Sequence, residues 1–306
     1  MPELPEVETI RCGLAKFIVR DKIKNTKILC AKSFEGQPEK ATIKNIRRFG
    51  KALIIDLDND KSLMIHLRMT GQLIYDGKER YAAGHPSENF LAELPNKQTR
   101  VIFELENGTL YFNDQRKFGF IKVLDTKEVE NDPFIRKLAK EPWQMSKEEF
   151  YEKLQKHSAP VKATILDQTV IAGLGNIYAD EALFRAKIHP KTKAKNLTKK
   201  DAENLLEAAK YVMEKSIESG GSTLKDYKKA DGTKGDYLDK FAQVFNKKGQ
   251  SCPRCKAKIE KIKVAGRGTH LCPCCQKEKR WLEFSLATIA SGPTKKLKNS
   301  SVKITR

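Results

Sequence analysis

Four cysteines near the C-terminus constrain this chain more than any other feature. Cys252-x2-Cys255 and Cys272-x2-Cys275 are separated by sixteen residues, the spacing of a zinc ribbon in which each Cys-x2-Cys turn supplies two thiolates and two turns close a tetrahedron. Such a site holds one structural Zn2+ ion and keeps no open coordination position, so the metal shapes the chain and does not react. What it shapes is the hairpin KIEKIKVAGRGTHLC, where Arg267 between two glycines can be presented outward to a phosphate backbone. A solvated arginine at a turn is the plain alternative. Cys274 would break the second pair if it replaced a ligand, so it counts as a spectator, and Cys12 and Cys30 are expected to be buried thiols. Seven cysteines grouped in this way fit metal binding in a reducing compartment better than a disulfide framework.

The 59 Lys and Arg against 39 Asp and Glu leave a formal charge of +20 on 306 residues. That surplus draws a chain toward polyanions and makes nucleic acid the leading partner class, although charge alone leaves a ligand-free basic surface equally open. No apolar run approaches the ~18 to 20 residues of a membrane span, and MPELPEVETI lacks the basic-then-apolar pattern of a secretory signal. A cytoplasmic location without a membrane partner is expected.

The length suits two domains. Val7, Ile10, Leu14 and Phe17 recur at helical spacing, so the chain leads directly from its N-terminus into a helix with one buried face. From Lys27 to about Leu124 the texture turns β-rich: KALIIDLD, KSLMIHLRM, TRVIFELENGTLYFND and FGFIKVL, with Asn59 and Asn107-Gly108 as turn signals. Beyond Asp132-Pro133 the pattern is helical, with Leu205, Leu206, Ala209, Val212, Met213 and Ile217 on one face and Gly220-Gly221 as a stop. The chain thus reads as α+β. An N-terminal antiparallel β-sandwich with flanking helices (1–132) precedes a C-terminal helical domain (133–250), the zinc-ribbon β-hairpin (251–276) and a basic tail (277–306) expected to be disordered and to add nonspecific DNA affinity. Residues 222–251, polar and glycine-containing, read as a mobile loop.

Removal of Met1 would leave Pro2 as a terminal secondary amine. An α-amino group has a reference pKa of about 7.7 to 8.0, against about 10.4 for lysine, so a useful fraction is nucleophilic near pH 7. Glu3 beside it suits proton transfer, whereas Glu6 suits the helix dipole. Many proteins begin Met-Pro, and this feature gains weight from others far along the chain: GKALII at 50–55, HLRMTG at 66–71, DQRKFG at 114–119, GLGNIYADEALF at 173–184, GGSTLKD at 220–226 and GRGTHLCPCCQ at 266–276. With PELPEVETI at 2–10, and in this order, the set resembles the formamidopyrimidine-DNA glycosylase family over about residues 2–276.

The resemblance implies a bacterial, nucleoid-associated base-excision-repair enzyme, a monomer with no small-molecule cofactor, acting on damaged double-stranded DNA. It implies a helix-two-turn-helix in the helical domain. Pro2 would attack sugar C1′ and expel an oxidised purine, with Glu3 as acid/base and Lys51 near the lesion phosphates. His66 and Asn176, with Lys51 and Arg267, match the set that grips phosphates, and Asn176 also suits an N-cap whose helix turns free amides toward a phosphate after a Gly-x-Gly turn that permits close approach. Met69 and Phe118 match residues that fill the space of the extruded nucleotide, and Arg116 the partner of the orphaned cytosine. Without the resemblance, His66 would read as a packed sheet residue, Lys51 as a solvated strand-edge charge, and Met69 and Phe118 as core. Residues 220–236 match a lesion-capping loop. Ala139-Lys140 departs from the Gly-Pro common there, and Gln115 is a variable position; neither touches the chemistry. The endonuclease VIII branch, which prefers oxidised pyrimidines, is the nearest rival, and HLRMTG with DQRKFG favours the purine branch. From other classes, a non-enzymatic DNA binder has no need of Pro2, Glu3 and Lys51, and an RNA-bound zinc ribbon has no need of wedge residues.

Overall fold

In the computed structural model, residues 2–37, 40–85, 92–221 and 237–278 are described. The N-terminal helix α1 (Leu4–Ile18) is amphipathic, and its buried side chains fall into two groups. Val7, Ile10, Leu14 and Ile18 join the core of the β-sheet layers. Leu4 instead joins the core of the helical region. One helix therefore bridges both cores, and its first turn lies where they meet.

Ten strands follow: β1 (Lys22–Ile28), β2 (Phe34–Glu35), β3 (Ala41–Phe49), β4 (Ala52–Leu57), β5 (Lys61–His66), β6 (Gly71–Gly77), β7 (Arg80–Gly84), β8 (Thr99–Leu105), β9 (Gly108–Asp114) and β10 (Phe120–Asp125). They hydrogen-bond in the order β2-β10-β5-β4-β3-β1-β8-β9-β6-β7. Every pairing is antiparallel except the short β10–β2 contact. Among the described residues, the two halves of this sheet are joined where β1 pairs β3 at two residues, and they fold over a shared core of Leu53, Ile55, Leu63, Ile65, Val101, Phe103, Leu110 and Phe112, the sandwich expected from the alternation. The run ALIIDL is continuous rather than alternating because β4 is covered on both faces. Ala52, Ile54 and Met64 pack outward against Val129 and Ile135, next to the short helix α2 (Pro133–Arg136).

The helical region contains α3 (Lys147–Gln155), α4 (Val161–Leu166), α5 (Asn176–Arg185) and α6 (Lys199–Glu218). Thr198 caps α6 in a capping box with Asp201, and α5 and α6 pack around Tyr178, Ala182, Leu205, Leu206 and Ala209. Among the described residues, no helix is long and apolar enough to cross a membrane. A short helix α7 (Tyr237–Lys240) and the hairpin of β11 (Glu260–Val264) and β12 (Arg267–Leu271) complete the described chain.

Three local expectations need correction. Cys12 is exposed and Cys30 half-buried; Cys12 faces out of α1 beside Glu8, away from the Val7, Ile10, Leu14 face. Residues 237–251, expected as part of a mobile loop, form an ordered connection in which Tyr237 is buried. The buried Glu181 carboxylate accepts the amides of Gln243, Val244 and Phe245 at 2.8, 2.9 and 2.8 Å, so a segment without apolar periodicity is held through its backbone. Third, Gly175 is the N-cap of α5 and Asn176 its first helical residue. Residues 222–236 of the capping-loop match and the basic tail from 279 lie outside the described residues.

Gly173 shows how closely the two cores meet. Its φ is +91°, and a Cβ there would lie 2.3 Å from Leu4 Cδ1 and 2.8 Å from Leu4 Cβ. The Leu4 amide donates to the Gly173 carbonyl at 3.2 Å. Gly173→Ala is expected to cost about 2 kcal/mol or more through backbone strain and the clash, a Tm loss of roughly 5 °C for a chain of this size. A thermal melt indistinguishable from wild type would contradict this reading of the junction.

Candidate active site

Glu3 is the most constrained group at that junction. It precedes α1, is 3% exposed, and its amide donates to Glu6 Oε2 at 2.8 Å. Its carboxylate lies against the N-terminal end of α5, where Oε1 accepts the Ile177 amide at 3.0 Å. A Cβ on Gly175 would sit 2.1 Å from the Glu3 carboxyl carbon, so glycine is what leaves room for the acid. The Gly-Leu-Gly turn thus admits Leu4 and Glu3, where the sequence suggested a phosphate, and an amide at this helix end is spent on Glu3. Glu3 Oε2 is buried without a protein partner. Burial raises the Glu3 pKa to about 7, against the lowering effect of Lys51 and the α5 amides, with Glu6 adding to the rise.

Pro2, also buried, immediately precedes this acid. Lys51, in the turn between β3 and β4, is 8% exposed and donates to the Leu174 carbonyl at 2.6 Å. Burial lowers its pKa, opposed by the carboxylates of Glu3 and Glu6 and assisted by Arg267. Arg48 holds this turn. Its guanidinium meets Glu8 of α1 at 2.8 Å and Glu141 at 2.5 Å, and Glu141 also accepts the Gly50 amide at 2.9 Å.

His66 ends β5 directly across from Ala52, stacked on Phe120 and edge-on to Phe134. Its Nδ1 accepts the Arg68 amide at 3.0 Å, which assigns the proton to Nε2. Burial, then Arg68 and Lys51, depress its pKa to about 3. The ring is therefore a neutral N–H donor at any physiological pH. Asn176 Nδ2 donates to the Gly268 carbonyl at 3.2 Å, and its Oδ1 is buried with no partner. Arg267, exposed at the start of β12, follows Gly266 at φ +78°.

The structure brings Pro2, Glu3, Lys51, His66, Asn176 and Arg267 to one place: Glu3, Lys51 and Arg267 are within electrostatic range of one another in sequence, and Lys51 acts on His66. Met69, Arg116 and Phe118 lie on the loops that follow β5 and β9. Met69 is 39% and Phe118 51% exposed, and the Arg116 guanidinium lies 4.7 Å above the Phe118 ring. Large apolar groups held in solvent on adjacent loops suit a surface that meets a partner.

The four thiols Cys252, Cys255, Cys272 and Cys275 have their sulfurs within 4.8 Å of one another. A tetrahedron of Zn–S bonds near 2.3 Å has edges of about 3.8 Å, and the Cys252–Cys275 and Cys255–Cys272 separations are 3.9 and 3.4 Å. The set fits one structural zinc ion with no protein position left open. Cys274 is exposed beside it.

Sequence reasoning missed the groups that seat this ribbon. Lys162 of α4 and Asp180 of α5 form an ion pair of 2.6 Å at 1% and 0% exposure. Lys162 also donates to the Gly268 carbonyl and Thr269 Oγ1 at 3.1 and 2.8 Å. Asp180 accepts the His270 amide at 2.8 Å and approaches His270 Nδ1 at 3.2 Å. Burial lowers the Lys162 pKa, with Asp180 opposing. Lys162 sits in VKATIL without a cue, but two consecutive acids in the otherwise apolar IYADEALF could have been read as buried anchors.

Family models match three segments: the formamidopyrimidine-DNA glycosylase N-terminal domain at residues 1–121, its H2TH domain at 138–228, and the zinc finger found in FPG and IleRS at 249–277. The formamidopyrimidine-DNA glycosylase of Desulfitobacterium hafniense is 37% identical over 286 residues, covering 90% of this chain and all of its own length. That of Pelotomaculum thermopropionicum is 40% identical over 291 residues, 91% of this chain and all of its own. Among solved structures, the Lactococcus lactis enzyme bound noncovalently to AP-site DNA aligns with a TM-score of 0.79 at 34% identity, covering 90% of this chain and all of that one. A mutant of it with Fapy-dG DNA aligns at 0.81 and 35%, with the same coverage. With identity at this level over the full length of its relatives, the chain belongs to the formamidopyrimidine-DNA glycosylase family.

Proposed function

We propose that this protein is a bifunctional DNA glycosylase and AP lyase of base-excision repair, which removes oxidised purines such as 8-oxoguanine and formamidopyrimidines from duplex DNA. The observation that carries the reading is the Glu3 carboxyl, buried beside Pro2 and poised near pH 7. A group with that pKa is both a competent acid and a competent base at neutral pH. With Met1 removed, the Pro2 amine attacks C1′, the base leaves with the glycosidic electron pair, and loss of the ring oxygen's bond gives an imine to the opened sugar. Glu3 delivers the proton that opens the ring and takes protons in the later steps. The imine then accepts electrons as β- and δ-elimination expel the two flanking phosphates.

The remaining residues bind. Lys51, His66, Asn176 and Arg267 grip the phosphates around the extruded nucleotide; the exposed Arg267 and the Asn176 Nδ2 amide, an N–H donor that also meets the Gly268 carbonyl, support this reading. A neutral His66 contributes a donor that does not titrate in the working range. Met69 and Phe118 fill the vacated space, and Arg116 meets the opposite cytosine. We read residues 1–132 as the catalytic sandwich domain, 133–250 as the helical DNA-binding domain and 251–276 as the ribbon, acting as a monomer on damaged DNA near the nucleoid, without a small-molecule cofactor.

Borohydride trapping on a duplex with 8-oxoguanine opposite cytosine tests the chemistry directly. The protein is expected to trap strongly, Pro2→Gly to trap far more slowly, and an oxidised-pyrimidine duplex to react less well. Preference for the pyrimidine would move the protein to the endonuclease VIII branch, and binding without trapping would favour a non-enzymatic role. Glu3→Gln should lower excision about 100- to 10,000-fold while stabilising the fold at alkaline pH. The folded pKa of Glu3 is raised from 4.5 to about 7, so folding is favoured by the bound proton and this contribution fades as pH rises from about 4.5 to 7. The Tm advantage of Glu3→Gln should therefore be small at pH 5 and larger at pH 8; an advantage that is flat with pH would refute the assignment. Chelation of zinc is expected to weaken DNA binding roughly tenfold or more before the sheet unfolds, and metal-free protein that binds DNA normally would rule this out.

A further inference from the structure

The two loops that carry Met69 and the Arg116/Phe118 pair converge on one carboxylate. Asp114, the last residue of β9, has no exposed surface. Its Oδ1 accepts the Thr70 hydroxyl and, at 3.1 Å, the Arg116 amide. Its Oδ2 accepts the amides of Phe118 and Gly119 at 2.8 and 2.7 Å. The Thr70 hydroxyl in turn receives the Arg116 amide at 3.0 Å. Asp114 is itself fixed through its main chain, with its amide on the Gln98 carbonyl at 2.9 Å and its carbonyl on Arg100 Nε at 2.8 Å.

The backbone is bent to make these bonds. Lys117 adopts φ +57°, a conformation that costs a side-chain-bearing residue about 1 kcal/mol, and a Cβ on Gly119 would lie 2.8 Å from Phe112 Cζ and 3.1 Å from the His66 carbonyl. Four donors from two loops thus close on a buried acceptor, and the surface above it holds the exposed Met69, Arg116 and Phe118.

We propose that Asp114 and Thr70 form a latch that makes the two loops one rigid unit and sets selectivity for the base opposite the lesion. This rests on the function proposed above. Asp114, buried below the loops, is a positioning residue, and Thr70 is the tie that crosses from one loop to the other. Readout of a base by a guanidinium demands placement to about 0.5 Å, and the Arg116 backbone is held by both latch residues. Insertion of Met69 from one loop and Phe118 from the other then occurs as a single event.

The test is single-turnover excision of 8-oxoguanine opposite cytosine and opposite adenine, with cleavage of a preformed abasic site alongside. Thr70→Val keeps the shape and the three amide bonds to Asp114 but removes the crossing bond. Its cytosine-over-adenine preference should fall about five- to tenfold, the lower range for one base contact, while abasic cleavage stays within about twofold. Thr70→Ser should restore the preference. Asp114→Asn, which must turn its amide N–H either toward the Phe118 and Gly119 amides or toward the Arg116 amide, should lose more, with a melt to separate misfolding from mispositioning. A second readout is coupling: in wild type, Met69→Ala and Phe118→Ala together should slow excision little more than the worse single change, whereas in Thr70→Val the two effects should multiply. An unchanged preference and unchanged coupling in Thr70→Val, on a wild type that excises normally, would overturn the latch alone. A wild type that excises neither pair would overturn the proposed function and the latch with it.

Discussion

The seating of Glu3, the N-cap of α1, and Leu4, its first residue, against the Gly173-Leu174-Gly175 turn is the constraint on which the rest of the molecule depends. Leu4 is an apolar peg in the helical core while the next three turns of its helix belong to the sandwich. Glu3 fills the space that a Cβ on Gly175 would occupy. This contact fixes the distance between the two cores and, because Pro2 is covalently next to it, the position of Pro2. In the function proposed above, Pro2 and Glu3 are therefore held by packing, which is what a reaction needing alignment within a fraction of an ångström requires.

That arrangement also explains how the Glu3 pKa stays raised beside Lys51. Lys51 alone would pull Glu3 down into the ordinary carboxylate range, yet burial outweighs it and the net shift is upward, to about 7. Lys51 is lowered by the same burial and satisfied by the Leu174 carbonyl. The lysine's hydrogen bond goes to a main-chain oxygen rather than to Glu3, so Glu3 Oε2 keeps no protein partner. A direct ion pair would have locked the carboxylate in its charged form.

Much of this was legible in the sequence, for identifiable reasons. Helical spacing from Val7 to Leu14, alternation in the strands and the Asn107-Gly108 turn depend on local physics, as does the Cys-x2-Cys spacing. The proposed site residues rest on resemblance, since His66 or Met69 alone carries no chemical signal. What stayed hidden depends on partners distant in the chain. Residues 243–245 are ordered by Glu181 more than sixty positions away, Gly175 answers to Glu3, and the buried Lys162 can be understood only opposite Asp180. Cysteine as a residue type favours burial, but the place of Cys12 on the helix opposite Val7 and Ile10 turns it outward.

The Lys162–Asp180 pair raises a further point, because a buried ion pair is often no more stabilising than apolar residues of the same volume. Here the groups it faces are main chain. Strand β12 arrives at α5 with the Gly268 carbonyl and the His270 amide turned inward, and each would be costly to bury unpaired. Lysine donates to the first and aspartate accepts the second, while the charges satisfy each other. An apolar surface would leave the strand free to slide, and a slip of one residue would exchange donor for acceptor. Zinc determines the internal shape of the ribbon, but four thiolates contributed entirely by the ribbon cannot determine where it sits. The ion pair sets that register, and with it the place of Arg267, one residue before Gly268, beside Asn176 and Lys51.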